Sequence, residues 1–89
     1  MKSVFTDIYS EFLTIMINAR KETGLTQAQL ANLLNKPQSF ISKYERRERR
    51  LDVVEFLTIA KILELDPYSV IKKLNSLINP KSAHKESTQ

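Results

Sequence analysis

From Asp7 to Thr23 the apolar residues Ile8, Tyr9, Phe12, Leu13 and Met16 recur at the spacing of one helix face. Gly24 follows, the one glycine of the chain, where a helix stops most readily on a residue tolerant of positive φ. In Leu25-Thr26-Gln27-Ala28-Gln29-Leu30, Thr26 can cap a second helix, Gln29 can return the bond, and Leu25 can staple to Leu30. That helix ends near Leu34. Asn35 tolerates a left-handed backbone and Pro37 suits a first turn, so a third helix is predicted from Pro37 to about Arg46. A turn this short forces the second and third helices to cross steeply. Asp52 with Glu55 starts a fourth helix, whose Val53, Val54, Phe56, Leu57, Ile59, Ala60, Ile62 and Leu63 make it read as largely buried. Asp66-Pro67 opens a fifth that runs to about Ile78, and Asn79-Pro80 ends it. Strand-like alternation and internal repeats are absent. The pattern predicts an all-α domain of five helices over residues 1–78, with a polar, disordered tail over 79–89.

Charge changes this picture more than size does. Eighty-nine residues make one domain with a thin core. The formal net charge is +4, and residues 1–35 and 51–89 are each neutral. All of the excess lies in 36–50, "KPQSFISKYERRERR", with six bases and two acids. One basic segment on a neutral body is an electrostatic footprint. Such a run could read bases, grip phosphates, or only keep a helix solvated.

On a helical wheel, Phe40, Ile41 and Tyr44 of the third helix share a core-facing stripe. Gln38, Ser39, Ser42, Lys43 and Arg46 fall on the opposite side. That side offers two hydroxyls, an amide and two cations, with no acid and no large apolar group. It can present hydrogen-bonding groups to a major groove without setting negative charge against phosphate.

The stretch "GLTQAQLANLLNKPQSFISKYERRERRLDVVEFLTIAKIL" resembles the Cro/repressor-type helix-turn-helix family, the lambda-repressor-like or XRE-type regulators. The matching positions are Gly24-Leu25-Thr26-Gln27, Leu30-Ala31, Gln38-Ser39, Ile41-Ser42, Glu45-Arg46 and Ile59-Ala60, and the likeness covers roughly residues 8–78. It implies a helix-turn-helix formed by helices two and three, binding double-stranded DNA. By the same resemblance, Gln27 meets backbone phosphate and braces Gln38, which opens the reading helix and can pair with adenine. Ser39, Ser42 and Lys43 take base-edge or phosphate positions, and Glu45 pairs with a nearby Arg. Arg46, Arg47, Arg49 and Arg50, at or past the end of that helix, are expected at phosphates. The chain departs from the family at Asn35 and Arg47, where glycine is usual, and at Arg50-Leu51. Arg47 raises the prospect that the third helix ends differently or runs on.

Other chemistry finds little support. His84 stands alone in the polar tail, no cysteine exists, and no metal site, cofactor or catalytic set is expected. One glycine cannot build a phosphate loop. Neither a signal peptide nor a membrane span is read, and the lack of cysteine suits a cytoplasmic location. No ligand-sensing domain fits in this length, so no small-molecule inducer is expected, and no small-molecule substrate is expected either. Two functions stay open: a transcriptional regulator (a repressor or autoregulator), or an antitoxin-like adaptor that mainly holds a protein partner. One short reading helix selects too few base pairs, so a homodimer on a two-fold operator is expected. Leu74, Leu77 and Ile78 of helix five are its candidate contacts, with Ile15 or Ile17 next.

Overall fold

The computed structural model describes residues 4–78, with side chains from Asp7 onward. Five helices follow one another: α1 (Val4–Glu22), α2 (Gln27–Leu34), α3 (Gln38–Glu45), α4 (Val53–Ile62) and α5 (Pro67–Leu77). The tail expected to be disordered, and His84 within it, lie outside the described residues.

The start and stop signals act locally as the side chains demand. The Thr26 hydroxyl accepts from the Gln29 amide at 3.0 Å while the Gln29 side chain accepts from the Thr26 amide at 2.9 Å. Asp52 and Glu55 repeat the reciprocal arrangement at α4, at 2.7 and 2.9 Å. Each box satisfies amides that an isolated helix start leaves unpaired. Gly24 (φ 80°) and Asn35 (φ 59°) both sit in the left-handed region, as their positions require. Pro37 caps α3 from just outside, and the helix proper begins at Gln38.

Arg47 takes φ 67°. Its amide bonds the Tyr44 carbonyl, and the Glu48 amide returns to Lys43 at 2.8 Å. This is the Schellman closure that glycine favours. The third helix therefore stops where the family's glycine would stop it, because the returning hydrogen bonds outweigh the Cβ strain of an arginine.

The core gathers one stripe from every helix: Phe12, Leu13 and Met16 of α1, Leu30 and Ala31 of α2, Ile41 and Tyr44 of α3, Phe56, Ile59 and Ala60 of α4, and Val70 of α5. Phe12 meets Phe56 edge-on, with ring centroids 5.2 Å apart. Ile15, Leu74 and Phe40 pack half-buried around this centre. The fourth helix corrects its sequence reading. Val53, Val54 and Leu57 are exposed, and only its Phe56–Ile59–Ala60 stripe, continued by Leu63, is buried. With four neighbours this small, one face is all that the core can cover.

Candidate nucleic-acid interface

α2 and α3 pack on each other and share a chain of polar contacts that begins in α1. Arg20 is almost fully buried, and its guanidinium grips the Glu45 carboxylate twice, Nε to Oε2 at 2.7 Å and Nη2 to Oε1 at 3.0 Å. Its third donor, Nη1, reaches the Leu25 carbonyl at 2.9 Å. The hydrogen bonds that Arg20 donates to Glu45 raise its pKa further, against the opposing effect of burial. The expected pairing of Glu45 with an arginine is met, by a partner 25 residues away.

The same carboxylate carries the order outward. Gln27 Nε2 donates to Glu45 Oε1 at 2.9 Å, and Gln38 Nε2 donates to Gln27 Oε1 at 3.4 Å. A carboxylate can only accept, so the Gln27 amide must turn its NH2 inward and its oxygen toward Gln38. Gln38 then spends one N–H on Gln27 and keeps its oxygen and second N–H free. That donor–acceptor pair is complementary to the N6 and N7 edge of adenine. A buried ion pair thus sets the polarity of an exposed amide.

Around Gln38 the outward face of α3 is as the wheel drew it. Ser39 and Lys43 are exposed, and the half-buried Ser42 hydroxyl donates back to the Ser39 carbonyl at 3.3 Å. The arginine run, by contrast, divides. Arg46 pairs with Glu48 at 3.1 Å, both exposed, and the hydrogen bonds from Arg46 lower the Glu48 pKa. Arg49 lies 4.6 Å from the Phe40 ring centroid and grips Glu55 through two hydrogen bonds, 2.9 and 2.7 Å. Those bonds, with the capping bond to Asp52, pull the Glu55 carboxyl down to about 2. Arg50 stacks over Tyr9 at 4.3 Å. Among the described residues Lys36, Lys43, Arg47 and Arg50 meet no carboxylate.

Sequence reasoning missed the Phe40 platform. Lys36, in the turn before α3, also approaches that ring, at 5.5 Å. Nothing in the sequence announced the contact with Arg49. Of the residues expected at a dimer contact, Leu74 is packed against the core, Ile78 is half-buried and Leu77 is exposed. Among the described residues no group of His, Cys, Asp and Glu could hold a metal, and no helix is long and apolar enough to cross a membrane.

The arrangement is a short second helix braced against a third that displays an acid-free polar face, and known proteins share it. A helix-turn-helix family model matches residues 16–70. A solved structure described as an XRE-family like protein from Pseudomonas syringae pv. tomato str. DC3000 is 39% identical, with a TM-score of 0.79, over 85% of this chain and 93% of that one. No curated protein matches the chain. The chain belongs to the XRE family of helix-turn-helix DNA-binding proteins.

Proposed function

We propose that the protein is a sequence-specific transcriptional regulator, a repressor or autoregulator, that reads double-stranded DNA as a homodimer on a two-fold operator. α3 enters the major groove, where Gln38 pairs with adenine and Ser39, Ser42 and Lys43 approach neighbouring bases or phosphates. Gln27 meets a phosphate near the start of α2. Arg46 and Arg47 close on the backbone as the chain leaves the groove, with Arg49 and Arg50 behind them.

The observation that carries this reading is the braced amide. Arg20, Glu45 and Gln27 hold Gln38 in one hydrogen-bonding polarity before any base arrives. Preorganisation of this kind serves direct base readout, in which each good paired contact discriminates by about 1–3 kcal/mol. A solvated face that did no reading would have no use for it. One α3 spans a few base pairs, and two copies with half-sites about one helical turn apart extend the readout.

Selection of bound sequences from random duplex DNA tests the proposal. The expected product is an inverted repeat with an adenine at one fixed place in each half. Recovery of sequences with no common motif, at affinities that follow salt alone, would remove the base-reading role.

A further inference from the structure

The loop that carries the arginine run, residues 46–52 between α3 and α4, is held from three helices. Its first amides return to α3, Arg47 to the Tyr44 carbonyl and Glu48 to the Lys43 carbonyl. Arg49 pins the middle, laid on Phe40 and bound to Glu55 of α4. The last part is held from α1. The Leu51 amide, which precedes the α4 cap and has no helical partner, donates to the Tyr9 hydroxyl at 3.3 Å. Arg50 rests over the same ring, 4.3 Å from its centroid. Tyr9 is fixed in turn, its ring centroid 5.5 Å from that of Phe12, which meets Phe56 in the core.

We propose that Tyr9, outside the helix-turn-helix, is a positioning residue that holds Arg50 ready for a phosphate of the duplex; the proposal deepens the phosphate reading above and rests on it. The two neighbouring arginines are held by different chemistry. Arg49 gives its donors to a carboxylate, so its charge is answered before DNA arrives. Arg50 is held by a ring face, which attracts a cation without neutralising it. Among the described residues it meets no carboxylate. It therefore keeps its full charge, on an exposed side chain whose planar fork of N–H donors suits phosphate.

Entropy gives the arrangement its use. A free arginine loses rotamer freedom when a phosphate captures it. One that already lies on a ring has given up part of that freedom in the folded protein, so contact with DNA costs less. The backbone is set in the same way, because the Tyr9 hydroxyl fixes the amide next to Arg50. The apolar periodicity of α1 assigns Tyr9 to the core face, and packing alone would be met by leucine or phenylalanine. Neither could bind the Leu51 amide, and only phenylalanine could hold the cation.

The test is a double-mutant cycle on the full chain, read as affinity for a random-sequence duplex over a series of salt concentrations. Arg50→Ala should lower the slope of log affinity against log salt by about 0.9, the loss of one neutralised phosphate. Tyr9→Leu should weaken binding about threefold to tenfold, the ordering cost of one long side chain. In the Arg50→Ala background the same substitution should cost less than about 1.5-fold, because nothing is left to position. Tyr9→Phe keeps the ring and should lose less than about twofold. A lowered fold stability would weaken both backgrounds alike, so the cycle separates positioning from packing. Equal losses in the two backgrounds overturn the proposal, as does an Arg50→Ala slope like that of the wild type. Proton NMR of the free wild type checks the hold without any substitution. The Arg50 Cδ protons should be shifted upfield by the ring current, and unshifted protons overturn the proposal. A wild type that binds no duplex at low salt overturns the DNA reading and this proposal with it, whereas the other failures overturn this proposal alone.

Discussion

Two clusters of arginine and glutamate in this protein use the same chemistry to opposite ends. Inside, Arg20 and Glu45 are buried, and every contact they make is to the protein. Outside, Arg46, Arg47, Arg49 and Arg50 stand exposed around the end of α3. Glu48 and Glu55 answer only two of them. An interior pair meets little screening and has no water to replace a lost partner, so its geometry is rigid. An exposed pair is screened, and its partner is exchanged easily, for a phosphate as for a carboxylate. The inner cluster therefore acts on structure and aims Gln38, while the outer one is available for contact.

That contrast breaks most plainly at Glu45. Glu45→Ala leaves the Arg20 guanidinium buried without its carboxylate and should cost about 3–5 kcal/mol of stability. Urea denaturation measures this, with Arg46→Ala, at an exposed pair, expected to stay within about 0.5 kcal/mol of wild type. Equal losses at the two sites would erase the distinction between the buried and the exposed pair.

Gln38→Ala sharpens it next. Preference at one base pair per half-site should fall by about 1–3 kcal/mol, with helix content unchanged. Competition binding on a series of substituted operators reads this directly. Gln27→Met, which cuts the link between Glu45 and Gln38, should blunt preference at the same base pair.

Arg47 belongs to both sides of the comparison, as an exposed cation on a strained backbone. Arg47→Gly should raise stability by about 1 kcal/mol, since glycine takes φ 67° without a Cβ penalty. It should also reduce the slope of log affinity against log salt by about 0.9, the loss of one neutralised phosphate. Arg49→Ala should change that slope less, because Glu55 already holds the charge. Identical slopes for the two variants would show that the ion pair opens freely on DNA.

The smallest effect is the acid limb of the Arg49–Glu55 pair, an exposed contact worth about 0.2–1 kcal/mol. Because the folded carboxyl titrates at about 2 and an unfolded one near 4.5, the contribution is complete above pH 4.5. It is lost as pH falls toward 2. Thermal melts of wild type and Glu55→Gln should differ at neutral pH and converge by about pH 2.

The local grammar of the chain was enough to place α2 to α5 to within about a residue, whereas α1 begins at Val4, ahead of the Asp7 where its periodicity starts. Thr26 with Gln29 and Asp52 with Glu55 close through side chains three residues apart, and such contacts form wherever the segment lies. Periodicity also found the two sides of α3, because three aligned core residues leave the rest facing outward. The order of the reading site was legible only in part. A family likeness named Gln27, Gln38 and Glu45, but which nitrogen faces which oxygen depends on Arg20, supplied from another helix.

Tertiary structure decided the rest wherever a residue's fate depended on its neighbours' size or distance. Val53, Val54 and Leu57 are as apolar as Ile59, yet a core built on single stripes from five short helices has no room for them. Arg49 and Arg46 look alike in the run from Lys36 to Arg50, but only one has Phe40 beneath it and Glu55 opposite. Arg47 left open whether the third helix stops or runs on, and the Glu48 amide, by finding the Lys43 carbonyl, turns the chain there. Caps and periodicity act within a few residues and are written in the order of side chains. Burial, charge pairing and chain reversal depend on surfaces that exist only once all five helices have met.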